Sequence, residues 1–439
     1  MQDYSLRVIP FALLITVVYL LTIPVAIADN RAYENAEDLS AVDILPADIL
    51  KGKYYTLDDR VRNDGYLNYY TIKSDYGTFE ADSTAMLKIR IGEINALAEL
   101  DALSQTEVFI KAAADAGVAQ LKSIKQFATD PVDTVVGIPR GIGRMFKRYL
   151  RQASEAVDAT KEFVDADDAD QTDGEKEDDS NAAVDLTQSF FGISSAERAW
   201  AQKLGTDPYS TNDTLRAAIK EVAWAERLGR IGIGFAGIPE IPGADIIGDV
   251  TQAVWSKDPY ELQDLNRARL VATGANEELI EKYLENPRFS PTQHTVLTAA
   301  IAELADVEGR AGILSEALNA KTDAEIRFFV RSVMMLAWYH LNQSPIVSVI
   351  TDAAIPAATT GDGKLVILFA ADHIYWTEGV AQTAAIYNTA LSATASTDAR
   401  ELWFLGTASE RSGREFIALG WKVHYKLAQM MAEESEKAK

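Results

Sequence analysis

The stretch TAMLKIRIGEINALAELDAL, residues 84–103, decides how this chain is read. Met86, Leu87, Ile91, Ile94, Leu97, Ala98 and Leu100 recur at three- and four-residue spacing, the period of one face of a helix. Ser104-x-x-Glu107 has the pattern of a capping box and predicts a second helix reaching about residue 128. Asp130-Pro131 begins a third segment, with proline suited to a first helical turn.

Upstream, the period differs. Tyr66, Tyr69, Tyr70, Ile72, Tyr76 and Phe79 lie among Thr, Asn and Gly, bounded by Asn63-Asp64-Gly65 and Ser74-Asp75-Tyr76-Gly77. Aromatic and β-forming residues between such turn signals predict a small antiparallel hairpin sheet over 54–80. Residues 29–52 are polar and acidic and read as a tether.

The first 28 residues read as an export signal of the bacterial type. No charged residue occurs from Val8 to Ala28, and Ala26-Ile27-Ala28 supplies a small-x-small cleavage site before Asp29. A retained anchor is the competing reading, because about 20 apolar residues can span a bilayer.

Downstream, residues 154–181 carry 12 acidic residues and two Lys, with almost nothing apolar after Val164. Such a segment reads as a flexible linker. Ser194-x-x-Glu197 then opens a second helical region, with helices expected at about 195–204, 214–230, 259–272, 276–285, 291–305 and 322–342. From about Ile346, strands at 347–350, 364–370, 401–405 and 422–426 alternate with helices at about 376–392 and 410–419, as in a small α/β unit.

The expected fold is therefore mainly α-helical and multi-domain, with a small antiparallel β-hairpin unit near the N-terminus and a small α/β unit at the C-terminus. The divisions are a signal peptide (1–28), a tether (29–52), a hairpin and helical domain (53–153), an acidic linker (154–190), a helical domain (191–345), an α/β domain (346–430) and a charged tail (431–439).

Composition narrows function. The formal net charge is −23, which opposes nucleic-acid binding because a polyanion is repelled. With no Cys, the chain has no disulfides, thiolate metal sites or Cys nucleophiles. The four His have no metal-ligand spacing, and no cofactor motif holds. Gly232-Ile-Gly234-Phe-Ala-Gly237 fits a dinucleotide pattern, but a helix is expected before it and two prolines after it.

One local feature opposes the global charge. Arg140, Arg144, Lys147, Arg148 and Arg151 lie within 12 residues without an acid, interleaved with Ile142, Met145 and Phe146. On a helix this resembles an interfacial face that meets an anionic membrane or a protein partner. A solvated helix face is the plainer alternative.

The weak catalytic candidates are Asp372, His373 and Ser409. The first two follow directly on a strand, where α/β folds place working residues. Ser409, Arg411 and Arg414 bracket a helix start and form a candidate anion cradle, with ordinary N-capping as the plainer role. The expected function is an exported, non-enzymatic binding or scaffolding protein of the envelope. An envelope hydrolase or transferase using the C-terminal unit, or a secreted membrane-active effector, are the alternatives.

Overall fold

The computed structural model describes residues 32–107, 109–111, 142–146, 148, 190–228, 250–351, 354–391 and 399–438. The expected export segment 1–28, the acidic run 154–181, the glycine-rich stretch 231–248, and Arg140, Lys147 and Arg151 lie outside these residues.

The N-terminal sheet is antiparallel and five-stranded. It contains β1 (Leu39–Ser40), β2 (Tyr55–Leu57), β3 (Arg60–Asn63), β4 (Asn68–Ser74) and β5 (Gly77–Ala81). β4 is central, pairing with β2, β3 and β5. Two one-turn helices, α1 (Ala41–Ile44) and α2 (Ala47–Leu50), follow β1. Part of the expected tether is therefore built into the fold, because Ala41 and Leu45 supply apolar contacts that its polar composition obscured.

Helix α3 (Thr84–Ser104) crosses the sheet. Ser83 caps it by accepting the Met86 N–H at 3.1 Å. The expected cap at Ser104 does not form. Its hydroxyl instead donates to the Asp101 carbonyl, and Thr106 Oγ1 accepts the Phe109 N–H. Ile94 and Leu97 of α3 pack with Tyr70 and Ile72 of the sheet. Helices α4 (Ser195–Leu204) and α5 (Asp213–Leu228) complete this cluster through Trp200, Leu215 and Ile219, although they lie far along the chain. The Ser194–Glu197 capping box forms as the sequence predicts.

The second cluster is centred on a long helix. Helices α6 (Val250–Ser256), α7 (Pro259–Val271), α8 (Glu277–Leu284), α9 (Pro291–Glu303) and α10 (Ile313–Ala317) precede α11 (Asp323–Asn342). From Phe328 to Tyr339 α11 is buried at nearly every position, which is the behaviour of a helix covered on all sides. It lies between α9 and a C-terminal sheet.

That sheet contains β6 (Ile346–Ile350), β7 (Ala357–Thr360), β8 (Leu365–Phe369), β10 (Arg400–Phe404) and β12 (Lys422–His424), in the order β12-β10-β8-β7-β6. β8 runs parallel to β10 and antiparallel to β7. Every residue of β8 is buried, as expected of a central strand covered on both faces. A two-stranded parallel pair, β9 (His373–Ile374) with β11 (Thr407–Ala408), extends the end of this layer. Helices α12 (Glu378–Ala390), α13 (Glu410–Ala418) and α14 (Leu427–Ala438) complete the unit. β7 escaped the sequence reading because Ala-Ala-Thr-Thr carries no hydrophobic alternation.

The expectation of a mainly helical chain thus holds only in a coarser form. The described residues combine helices with an antiparallel N-terminal sheet and a mixed C-terminal sheet. Among them, no helix is long and apolar enough to cross a membrane.

Gly406 shows how tightly the β9–β11 corner is closed. A Cβ there would lie 1.9 Å from the Asp372 carbonyl oxygen, which is backbone and cannot rotate away. Gly406→Ala is expected to lower unfolding stability by about 3 kcal/mol, the upper range for overpacking. A urea midpoint unchanged from that of the parent would contradict this packing.

Candidate functional site

The β3–β4 turn reaches across to the C-terminal unit. Asn63 Oδ1 accepts the Gly65 N–H at 2.6 Å, and Asp64 Oδ1 accepts from the Tyr66 and Leu67 N–H groups. Gly65 has φ of +99°, a conformation that favours glycine. The turn presents its carbonyls outward. Tyr66 O accepts from the N–H groups of Asp372 and His373, and Gly65 O accepts from Tyr375. Asn63 Nδ2 donates to the His373 carbonyl at 3.0 Å.

Asp372 is the hub of this junction. Its carboxylate accepts the Asn68 N–H at 3.1 Å and the Thr84 N–H at 3.0 Å. Thr84 is the first residue of α3, so the charge sits at that helix's positive end. Loss of solvation pushes the Asp372 pKa up to about 6, against the pull of these bonds and of Arg331. Arg327 and Asp82 form an ion pair close by.

The structure sets Ser409 beside β9, its N–H donating to the Ile374 carbonyl at 2.9 Å, but turns Asp372 to other work. His373 Nδ1 lies 2.7 Å from Thr407 Oγ1, across the β9–β11 pair. Burial lowers the His373 pKa, and the charge of Glu34 raises it. Ser409 caps α13 by accepting the Ser412 N–H at 3.0 Å. It also donates to Glu34 Oε2 at 2.6 Å. Arg411 donates to the Ala32 carbonyl at 2.8 Å and faces Glu415. Arg414 lies 3.6 Å from Glu410 on the exposed side. The members of the expected anion cradle therefore all have intramolecular partners.

Beside them is an open depression. Its lining includes Ser409, Glu410, Arg414, Ile417, Tyr425 and Lys426, and includes neither Asp372 nor His373. Ile417 is 63% exposed, among the most exposed large apolar side chains of the described residues. Lys426 has φ of +59°, and its N–H donates to the Gly406 carbonyl at 2.7 Å.

The basic segment is placed differently from a lipid-facing helix. Ile142, Met145 and Phe146 are buried in the second core cluster. Phe146 stacks between Tyr66 and Phe369, with ring centroids 5.1 and 5.6 Å away, and meets Phe328 edge-on. Arg148 pairs with Glu325, whose side chain is 1% exposed. The apolar half of the segment is therefore interior, and Arg148 serves a buried carboxylate.

One charged group was missed by the sequence reading. Glu401 of β10 lies 3.6 Å from Lys364, 3.8 Å from Lys422 and 3.7 Å from His424, and accepts from Trp403 Nε1 at 3.1 Å. His424 stacks flat on Trp403, with centroids 3.8 Å apart. The residues come from β10, β12 and the turn before β8, so only the register Glu401↔Lys422 and Trp403↔His424 reveals the group. Among the described residues, no group of three or more His, Asp or Glu is placed to hold a metal ion.

A second buried carboxylate group ties α3 to the loop after α4. Glu93 accepts from Arg90, Ser210 and Asn212. Asp207 accepts from Thr292 Oγ1 at 2.7 Å and the Tyr209 N–H at 2.9 Å.

No family model matches the chain, and no curated protein or solved structure is similar to it.

Two measurements test these assignments. Arg148→Ala removes the cation paired with the buried Glu325 carboxylate, leaving it the Lys321 N–H, and is expected to cost about 3 kcal/mol in urea unfolding; a surface arginine would cost under about 1 kcal/mol. Desolvation raises the Asp207 pKa from 3.8 to about 6. The native state therefore binds the proton more tightly than the unfolded chain, and this contribution to stability is full below pH 4 and lost as pH rises through 6. Asp207→Asn should consequently gain on the parent between pH 4 and 7. A parent-minus-variant difference that is flat with pH would contradict the assignment.

Proposed function

We propose that the chain is an exported, non-enzymatic binding or scaffolding protein of the bacterial envelope. Its contact surface is the depression on the α/β unit between α13 and Lys426. The observation that carries this reading is the use made of Asp372. Its carboxylate is spent on the backbone of Asn68 and Thr84, which leaves His373 and Ser409 without an acid partner from that residue. The envelope hydrolase or transferase would need that carboxylate released from the junction.

The depression has the makeup of a protein contact. Exposed Ile417 and half-exposed Tyr425 form an apolar centre, with Arg414 and Lys426 beside it. Interfaces place apolar and aromatic residues centrally and polar ones at the rim. A protein partner is favoured over a membrane because Ile142, Met145 and Phe146 are interior and do not offer a face to lipid. The same burial weakens the membrane-active effector. Export rests on the uncharged run Val8–Ala28 and its small-x-small end, in keeping with a chain that has no Cys.

The test is site-specific photo-crosslinking in cells that make the protein, with the probe at Ile417 or, as a control, at exposed Val271. A discrete adduct at 417 alone, lost on Arg414→Glu with Lys426→Glu, is the expected result. The same adducts at both positions, or none at 417, would overturn the contact surface. Mass spectrometry of the envelope fraction checks export, with a mature chain beginning at Asp29 expected.

A further inference from the structure

We infer that residues Ala32–Glu37 are a self-ligand, occupying in cis a groove on the α/β unit that recognises an extended peptide through one carboxylate. The inference rests on the reading of this unit as a binding module and names its ligand class, an extended acidic peptide.

The segment joins the C-terminal unit before it reaches the N-terminal sheet at Leu39. The Glu34 N–H donates to the Trp376 carbonyl at 2.8 Å. The Trp376 N–H returns a bond to Glu34 Oε2 at 2.6 Å. Ser409 Oγ donates to the same oxygen, also at 2.6 Å. Two residues earlier, the Ala32 carbonyl accepts from Arg411 Nη2 at 2.8 Å. Main-chain contacts at alternate residues plus one side-chain contact are how an extended peptide is recognised.

The carboxylate contact is directional. Ser409 Oγ accepts the Ser412 N–H, and Ser412 Oγ can give its own proton to the Ile374 carbonyl. The single Ser409 proton has two acceptors in reach, Ser412 Oγ at 3.1 Å and Glu34 Oε2 at 2.6 Å, and the shorter, charge-assisted contact is to the carboxylate; the Trp376 N–H supplies a second donor. The groove is thus a pair of donors set to meet one anionic oxygen, with Arg411 placed to meet a peptide carbonyl.

The occupant is lightly held. Tyr33, Asn35, Glu37 and Asp38 are exposed, and Tyr33 buries no anchor in the unit. A hold made of polar contacts at the surface opens more readily than an apolar plug. Ser409 belongs both to this groove and to the lining of the depression, so displacement of the strap joins the two into one surface. A cis occupant lowers the apparent affinity for any ligand in proportion to the fraction of open grooves.

The experiment uses the full mature chain and a fluorescein-labelled synthetic peptide of residues 29–38, followed by fluorescence anisotropy. Glu34→Gln in the protein weakens the cis occupant. The native peptide is expected to bind this variant about ten-fold or more tighter than the parent chain. A peptide carrying Gln in place of Glu34 should bind neither, and adding Ser409→Ala to the protein variant should abolish binding. Equal affinity for parent and variant, or no binding to a variant that melts like the parent, overturns the inference. Amide exchange on the parent gives a second reading. Excess native peptide should speed exchange across residues 32–37, and unchanged exchange overturns the proposal. A positive crosslink at Ile417 with a negative peptide result would retain the contact surface and make the strap a fixed tie.

Discussion

The fold depends on the junction where the β3–β4 turn meets the strand end at Asp372. Backbone groups on both sides would otherwise be buried without partners, at a cost of about 1–3 kcal/mol each. The turn answers with the Gly65 and Tyr66 carbonyls, and Asp372 answers with its carboxylate toward Asn68 and Thr84. Above this hydrogen-bonded seam, Tyr66, Phe146, Phe328 and Phe369 form a ring cluster drawn from four separate parts of the chain. The polar seam sets orientation, and the rings supply apolar burial.

This constraint explains where reactive-looking groups were placed. An aspartate at a strand end is suited to chemistry in the abstract. Here it neutralises the start of α3 and faces Arg331 across a desolvated space. The cationic segment around Arg148 has a comparable role. Its apolar side chains enter the core, and its arginine balances Glu325. Surface chemistry is concentrated instead on α13 and its neighbours, where Ile417 is exposed and Ser409 is shared between the strap and the depression. The strap Ala32–Glu37 lies on the same unit as the proposed contact surface.

Local signals carried much of the fold. The period of Met86 to Leu100 set α3, Ser194-x-x-Glu197 set the start of α4, and the turn residues around Asn63 to Gly77 set the hairpin sheet. Where Ala357–Thr360 lacked alternation, the strand was invisible. Ser104 fitted the capping pattern but is the last residue of α3, where its hydroxyl turns back to the Asp101 carbonyl and leaves the Phe109 N–H to Thr106. The candidate site was legible only as residue types. His373, Ser409, Arg411 and Arg414 stand out in the sequence only as polar residues near expected element ends. Glu34, which accepts from Ser409 and Trp376, lay more than 300 residues away in a stretch read as a tether.

By itself, then, the sequence determined the local elements, the acidic and cysteine-free character of the chain, and the uncharged N-terminal run. These follow from short-range backbone preference and from composition, which need no knowledge of partners. Tertiary structure alone decided that α4 and α5 complete the N-terminal core, that Glu401 gathers Lys364, Lys422 and His424, and that Asp372 is a structural hub. Such pairings depend on which strands lie side by side and on which buried groups require a partner. A one-dimensional pattern records neither.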